Sequence, residues 1–336
     1  GQGDADSRGG SVSLQPLQTT TLIETDTLPI GIAYSLHAGA NGMTFVVDAY
    51  YQRVVAYSPT GSAALVFAVD SSGRNFTQIT AAALIGDSLL VVFDNASKSA
   101  TIADARRGAY VRTVGFAGMP SVAASHGDTL FVGLLDWDRQ TSVGVLPPAA
   151  TAFELVGYVP SEYRLARRLA EMHNFVSIAA GSSRRLVAYS GDDSVIEFTS
   201  GWMPIRAGHA AATRRRKRPD DVASAFLSKR PYPKLFSSVS LLADIQVLSS
   251  GDVALLYFDQ DLFGQPPQIR SKPFVNVLSS GLDRSCGDLS IPSTSMARTI
   301  GDFAGDTLRL LTRQVDDNGA VRTNLTSYLV TSHGCW

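Results

Sequence analysis

The chain has 336 residues, and its 29 basic and 30 acidic side chains give a formal net charge of −1 at pH 7. A chain of this length can bury a large core, and the balanced charge argues against a nucleic-acid-binding protein. No stretch approaches the run of about 18 or more apolar residues that a membrane-spanning helix needs. Charged residues make up only 18% of the chain, and this low content favours a sheet-rich fold or a surface buried against a partner.

The first residues, 1–19, are small, polar and partly Gly-rich, which predicts a flexible tether. The chain begins with Gly1 rather than Met, and removal of an upstream leader or anchor would explain this start. The run Thr20–Thr25 has no repeat unit of its own. We expect it to pair with the last unit of the chain, where it would cover an exposed sheet edge.

A repeated pattern organises the rest of the chain. In residues 42–61 (GMTFVVDAYYQRVVAYSPTG) a β-run ends at Asp48, a turn follows, and a second β-run covers Arg53–Tyr57. Weaker copies follow at a period of roughly 40–50 residues, which is typical of a β-propeller. The paired β-runs of the six units are Thr44–Asp48 and Arg53–Tyr57, Ser88–Phe93 and Ser99–Ala103, Thr129–Leu135 and Thr141–Leu146, Arg185–Tyr189 and Ser194–Phe198, Val253–Phe258 and Gln268–Arg270, and Thr307–Thr312 and Val321–Tyr328.

Each unit also has an apolar segment before its first β-run, which we expect to be the innermost strand beside a central channel. These segments are Ile30–Ser35, Ile79–Ile85, Val122–Ser125, Val176–Ala180, Leu242–Leu248 and Thr299–Phe303. Turn pairs such as Gly86-Asp87 and Gly305-Asp306 are typical of hairpins. The pattern therefore predicts an all-β, single-domain, six-bladed β-propeller over residues 20–336, with the N-terminal strand closing the last blade.

The first unit resembles an NHL repeat, in which a strand, an aspartate, a turn and an Arg-Val pair follow one another. Val47-Asp48 and Arg53-Val54 match that pattern. The whole chain resembles the six-bladed NHL-like or TolB-like propellers of bacterial exported proteins over about residues 20–333. This resemblance implies a propeller fold and an exported protein, and no catalytic motif comes with it.

Two insertions, at 160–174 and 207–236, interrupt the period. Glu162–Asn174 has the spacing of an amphipathic helix, whose arginines are Arg164, Arg167 and Arg168. The second insertion contains a cationic run and an aromatic-proline end, formed by Arg214, Arg215, Arg216, Lys217 and Arg218, and by Phe226, Tyr232 and Phe236. Long loops in a compact domain are usually functional or disordered. We predict a face that binds a protein partner or anionic lipid headgroups, with a solvated loop as the alternative.

No constellation in the sequence specifies catalysis, a metal site or a cofactor. The aspartates at the turns, which we expect to shape the turns by bonding their own backbone, are Asp48, Asp94, Asp136, Asp192, Asp259 and Asp316. The five histidines lack metal-ligand spacing, and no G-x-S-x-G nucleophile elbow is present. Propeller lactonases resemble this fold and place Glu, Asn and Asp around a channel calcium, yet no glutamate lies in a clear innermost strand. We predict no catalytic, cofactor-binding or metal-binding residue.

The two cysteines, Cys286 and Cys335, lie in the last sixth of the chain. An even number, with one cysteine next to the C-terminus, predicts a Cys286–Cys335 disulfide and favours an oxidising compartment.

The leading hypothesis is a non-catalytic scaffold propeller that is periplasmic or secreted and peripheral on a membrane. It would dock on a membrane-associated protein assembly, for example as an accessory subunit of a respiratory or photosynthetic complex. Two alternatives stay open, namely a lactonase-like hydrolase with a site in the channel and a propeller that binds a small ligand or glycan there. A ring of Asp, Glu, Asn and His at one channel mouth would support an enzyme, whereas an apolar or plugged channel would support a scaffold.

Overall fold

The computed structural model describes residues 11–136, 138–159, 176–180, 184–189, 194–210, 240–263, 268–292, 299–315 and 318–333. Within these ranges, the strands form six antiparallel sheets of four strands each. The innermost strands of successive sheets contact one another from the first sheet to the sixth, and the sixth contacts the first. The sheets are therefore the blades of a closed ring, which confirms the predicted six-bladed, all-β propeller.

From the channel outward, the first three blades have these strands. Blade one contains β2 (Ala33–Ala38), β3 (Thr44–Asp48), β4 (Arg53–Tyr57) and β5 (Ala63–Phe67). Blade two contains β6 (Ile79–Ile85), β7 (Leu89–Asp94), β8 (Ser99–Asp104) and β9 (Tyr110–Gly115). Blade three contains β10 (Met119–His126), β11 (Thr129–Asp136), β12 (Thr141–Leu146) and β13 (Glu154–Val156).

The last three blades follow the same order. Blade four contains β14 (Val176–Ala180), β15 (Arg185–Tyr189), β16 (Ser194–Phe198) and β17 (Pro204–His209). Blade five contains β18 (Leu241–Val247), β19 (Val253–Phe263), β20 (Gln268–Leu278) and β21 (Ser285–Ser290). Blade six contains β22 (Ile300–Ala304), β23 (Thr307–Val315), β24 (Val321–His333) and, outermost, the N-terminal strand β1 (Ser11–Leu22).

The N-terminal strand closes the ring, as the sequence predicted, because β1 pairs antiparallel with β24. It begins at Ser11 rather than at Thr20, so the prediction of a tether is wrong for residues 11–19. The register shifts between Pro16 and Gln18. An outermost strand tolerates this proline, which cannot donate a ladder hydrogen bond. Residues 1–10 lie outside the described residues.

The hydrophobic core lies between neighbouring blades. Val47 and Val54 of blade one, for example, share one buried cluster with Ala82 and Val92 of blade two. All five residues of β3 are buried, because each face of a blade is covered by the next blade. The middle strands therefore have continuous apolar runs, which made these strands recognisable in the sequence, whereas the limits of those in blades five and six differ from the prediction.

Two of the turn aspartates have the predicted structural role and an additional one. Asp48 accepts hydrogen bonds from the backbone N–H groups of Tyr50, at 3.1 Å, and of Gly31, at 2.9 Å. Asp94 does the same with Ala96 and Thr77, at 3.1 Å each. Each aspartate thus ties the middle-hairpin turn of its blade to the chain that enters the inner strand. Asp192 and Asp316 lie outside the described residues.

Blade five differs from the prediction in the length of its middle hairpin. The sequence placed a turn after Phe258, but β19 continues through Asp259 to Phe263, and Asp259 lies opposite Lys272 of β20. The predicted turn at Asp259 is therefore wrong. A diagonal ion pair stabilises the added length, since Lys272 Nζ lies 2.7 Å from Asp261 Oδ2. The Asp259 carboxylate instead accepts a hydrogen bond of 2.6 Å from the Ser240 hydroxyl.

Two other predictions stay open. Cys286 lies in β21, and no described cysteine is a free thiol. Cys335 and the segment Glu162–Asn174 lie outside the described residues, so the disulfide pairing and the amphipathic helix stay predictions. Among the described residues, no helix is long and apolar enough to cross a membrane.

Candidate functional site

The ring has two faces with different connections. We call one the connection face; it carries the middle-hairpin turns, such as 49–52, and the links from an outer strand to the next inner strand, such as 27–32. The hydrogen bonds of Asp48 place these two segments together. We call the opposite one the mouth face; it carries the first hairpin turns, such as Gly127-Asp128 between β10 and β11. Gly127 has a φ of 56°, as a two-residue hairpin turn requires.

The residues that the sequence predicted for partner binding all lie outside the described residues. They are Arg164, Arg167, Arg168, Arg214, Arg215, Arg216, Lys217, Arg218, Phe226, Tyr232 and Phe236. The structure does describe the points at which their segments leave and re-enter the ring. The first segment lies between Val159 and β14, and the second between Ala210 and Ser240. Both are links from an outer strand to the next inner strand, so both leave and re-enter on the connection face, on either side of blade four.

Hydrogen bonds fix the ends of these segments to that face. The Val159 amide donates to the Gln140 carbonyl, in the middle-hairpin turn of blade three, at 3.2 Å. Ser240 donates to Asp259, at the position in blade five that corresponds to Asp48 in blade one. The side chain of Val159 and the residue Ala210 are fully buried at 0% exposure. The two segments therefore start from ordered positions.

Exposed apolar side chains occur on the same face, where blade one adjoins blade six. Tyr50 is 65% exposed, Ile32 is 51% exposed, and Val315 at the end of β23 is 52% exposed. Tyr50 packs directly on Gly31, where an added Cβ would lie 2.6 Å from the tyrosine. The Gly31 carbonyl in turn accepts a hydrogen bond of 2.9 Å from Arg313 of β23. Sequence reasoning interpreted this part of the repeat only as a turn and missed the patch.

The central channel contains two adjoining cavities. A cavity of about 480 Å³ opens on the mouth face and is lined by residues from all six innermost strands. A smaller cavity of about 70 Å³ lies toward the connection face. Ser35, His37, Val122, Ala243 and Gly301 line both cavities and therefore mark the level at which they adjoin.

A buried ion pair lies beside the wide cavity. The Arg309 Nε lies 3.0 Å from Asp302 Oδ1, and a second contact joins Arg309 Nη2 to Asp302 Oδ2. Arg309 also donates to the Thr44 hydroxyl of blade one at 3.1 Å. The Ala38 amide of blade one donates to Asp302. This pair therefore joins blade six to blade one at the point where the ring closes.

A second carboxyl, Asp244 of β18, lines the wide cavity. Its oxygens accept hydrogen bonds from the backbone N–H groups of Phe303, at 2.7 Å, and Ile245, at 2.8 Å. Burial, followed by the negative charge of Asp302, raises the pKa of Asp244 to about 7. The described contacts that stabilise this carboxylate are backbone dipoles, while the guanidinium of Arg309 pairs with Asp302.

His37 of β2 lies where the two cavities adjoin, and its Nε2 is 3.2 Å from the Ser35 Oγ. Burial, followed by the positive charge of Arg309, lowers the pKa of His37 to about 4, so the ring is neutral at pH 7. The sequence had treated this histidine as one of five scattered ones. A titratable residue within an otherwise apolar inner strand (AYSLHA, LLADIQV, IGDFA) is the signal that could have identified the cluster.

The charged and titratable residues of the channel do not decide between an enzyme and a scaffold. This channel cluster consists of His37, Asp244, Asp302 and Arg309. Its aspartates are engaged by backbone amides and by Arg309, in contacts that join neighbouring blades. In the described ranges, no group of three or more His, Cys, Asp or Glu side chains could hold a metal ion. Neither Glu nor Asn is among the described residues that line the wide cavity.

No family model matches the chain, and no curated protein matches it. Solved structures do match. A member of the DUF4221 family from Bacteroides vulgatus superposes with a TM-score of 0.64 at 12% identity, over 96% of this chain and 99% of the other. A Bacteroides fragilis protein that is predicted to be exported gives 0.58 at 10% identity, over 97% of each chain. Virginiamycin B lyase from Staphylococcus aureus gives 0.53 at 9% identity, over 95% of this chain and 99% of the lyase.

At these sequence identities, the superpositions show a shared fold but neither a shared family nor a shared function. They agree with the six-bladed ring, whereas the NHL-like or TolB-like subclass stays a prediction.

We expect His37 and Asp244 to affect the pH dependence of stability in opposite directions. Because the pKa of folded His37 is lowered from 6.5 to about 4, stability is lost as the pH falls through that window. Because the pKa of folded Asp244 is raised from 3.8 to about 7, stability is lost as the pH rises through that window. Relative to the wild type, His37→Gln should gain about 1–2 kcal/mol on going from pH 7.5 to pH 5, and Asp244→Asn should lose a similar amount.

Urea denaturation at both pH values measures this effect. His126→Gln, which changes an exposed histidine at the end of β10, is the matched control and should follow the wild type. Equal pH dependence in all four proteins would contradict the assignment.

Proposed function

We propose that the protein is an exported, non-catalytic scaffold propeller that docks through its connection face onto a membrane-associated protein assembly. The observation that carries this proposal is that both long segments leave and re-enter the ring on one face, around blade four. Segments 160–174 and 207–236 contain the predicted arginines and aromatic residues. A rigid ring would present both segments to one partner.

The composition of this face suits an interface. Aromatic and arginine side chains supply most of the binding energy at protein interfaces. Phe226, Tyr232 and Phe236 would be anchors, and the exposed Tyr50 lies on the same face across the ring, beside blade six. The cationic run 214–218 would set orientation and association rate, with a strong dependence on salt. This run repels itself unless a partner or solvent screens it, and a neutral loop would connect two blades equally well.

We place the protein in the periplasm or outside the cell, peripheral on a membrane. The similar fold of a Bacteroides fragilis protein that is predicted to be exported supports this location. The proposed Cys286–Cys335 disulfide would suit the same oxidising compartment. An accessory subunit of a respiratory or photosynthetic complex is the kind of assembly that we propose.

The test is a variant in which Arg214, Arg215, Arg216 and Arg218 are all replaced by Ser. We expect recovery of the membrane partner in mild-detergent co-purification from native membranes to fall about tenfold, because the anionic surface of the partner loses its counter-charges. The deficit should be largest at low salt and should shrink at high salt.

The matched control is Arg106→Ser with Arg107→Ser. These arginines are exposed in the turn between β8 and β9, which lies on the mouth face. The control should recover the partner like the wild type. Undiminished recovery with the quadruple variant, at low and at physiological salt, would reduce the run to a solvated loop. Binding of the wild type to phosphatidylglycerol vesicles, but to no membrane protein, would identify lipid headgroups as the partner instead.

A further inference from the structure

The wide cavity has the dimensions of a binding site for a small molecule. Its volume of about 480 Å³ lies within the range of roughly 300–1,000 Å³ found for ligand pockets. His37 and Val122 lie where it adjoins the smaller cavity. The wide cavity opens on the mouth face, whereas the segments proposed for docking leave the ring on the connection face. A ligand could therefore enter while the connection face is occupied.

The charges in this cavity do not balance locally. Asp302 has Arg309 as its direct counter-ion, whereas Asp244 accepts two backbone hydrogen bonds and feels the charge of Arg309 without an ion pair of its own. Withdrawing a carboxylate from water without a direct ion pair is costly. In the hydrophobic core, an apolar residue would fill such a position. Here the carboxylate lies in the wall of a cavity, and the folded protein bears the cost. The neutral His37 adds no positive charge at pH 7.

The remaining lining would complement a short aliphatic chain and hydrogen-bond donors. Ala124, Ile178 and Ala180 line the cavity on the side of blades three and four. Each innermost strand pairs with only one neighbour in its sheet, so its other edge faces the channel. Such edges offer backbone carbonyl oxygens. An ammonium group has three N–H donors and no acceptor, so a carboxylate and nearby carbonyls match it.

We propose that the wide cavity binds a small primary amine, whose ammonium group pairs with Asp244 and whose aliphatic part lies against Ala124, Ile178 and Ala180. An anionic ligand would face both Asp244 and Asp302 and is disfavoured. A neutral ligand of the same shape would leave Asp244 without a counter-charge and should bind more weakly. This site is separate from the docking face, so each proposal can fail without the other.

The first test compares three probes of nearly equal size by NMR titration of the full chain. These are n-butylamine, n-butanol and butyrate. We expect n-butylamine to bind about tenfold or more tightly than n-butanol, because only the amine forms a charge-assisted hydrogen bond. Butyrate should bind more weakly still. Equal affinity for the amine and the alcohol would overturn the proposal.

The second test is Asp244→Asn, with Asp87→Asn as its matched control. Asp87 lines the same cavity but is an exposed residue at its rim. Asp244→Asn should weaken n-butylamine binding about tenfold or more, whereas Asp87→Asn should change it less than about twofold. Equal losses in both variants would show general surface attraction and would overturn the site.

A third measurement needs no variant and applies even if Asp244→Asn does not fold. Asp244 must be ionised to pair with the amine, and its pKa of about 7 makes this costly below neutrality. The charges of Asp302 and Arg309 act on it, His37 lines the same cavity, and Asp302 stays paired with Arg309. The affinity of the wild type for n-butylamine should be about tenfold lower at pH 6 than at pH 8. Binding at pH 6 should release protons, and affinity independent of pH would contradict the proposal.

Discussion

A chain that lacks residues 1–22 should lose the closure of its ring and unfold at a temperature lower by about 10 °C or more. The deletion removes the whole of β1, which pairs with β24 along nearly its full length. It also removes Val12 and Leu14, which pack on the core between blades five and six, and the buried Leu22. The edge of β24 would then be unpaired, and such an edge promotes aggregation.

Differential scanning calorimetry measures the loss, and deletion of residues 1–10 is the control, because these residues precede β1. The control should melt like the intact chain. A synthetic peptide of residues 11–22 should restore part of the lost stability, since β-strand addition reforms the missing ladder. An unchanged melting temperature of the longer deletion would show that β1 does not close the ring.

The sequence predicted several strands of blades one to four well, because buried strands have continuous apolar runs. The limits of β3, β4, β6, β12, β14, β15 and β16 agree with the predicted ones residue for residue. Apolar runs separated by Gly-Asp turns carry this information locally. No long-range contact is needed to recognise them.

Exposed strands were less predictable. Residues 11–19 have few apolar side chains because β1 is outermost, and nearly all of its residues are exposed or half-buried. In blade five, Asp259 resembled the turn aspartates of the earlier blades. It lies inside a longer hairpin. Cross-strand pairs such as Asp261 with Lys272 stabilise this hairpin, and the local sequence around Asp259 does not reveal them.

The channel cluster depends on ring closure and was outside the reach of local patterns. His37 belongs to blade one, Asp244 to blade five, and Asp302 to blade six. These residues are far apart in the sequence and meet only because six inner strands surround one channel. The connection face is an intermediate case. The repeat pattern predicts where the links between blades lie. The exposure of Tyr50 depends on how its side chain packs on Gly31, which the pattern does not show.

The second large effect should come from Arg309→Met. This change leaves Asp302 buried without its counter-ion and removes the positive charge that opposes the raised pKa of Asp244. It also breaks the link to Thr44 at the junction of blades six and one. Removing one partner of a buried ion pair costs about 3–5 kcal/mol, because an uncompensated charge stays behind. We expect a loss of this size in the free energy of unfolding at pH 7.5.

Arg74→Met is the matched control, since its ion pair with Asp70 is on the surface and the arginine is 78% exposed. It should cost less than about 1 kcal/mol. The double variant Arg309→Met with Asp302→Leu should recover much of the loss, because no charge from the pair is left buried.

The pH dependence separates this electrostatic cause from a loss of packing. Without Arg309, the pKa values of Asp302 and Asp244 in the folded protein should rise further above their ordinary value. A raised pKa means that stability is present at acid pH and lost as the pH increases. The deficit of Arg309→Met should therefore be largest near pH 7.5 and should shrink toward pH 5 in urea denaturation. A deficit that is the same at both pH values, or one below about 1 kcal/mol at pH 7.5, would show that the ion pair does not hold the closing blades together.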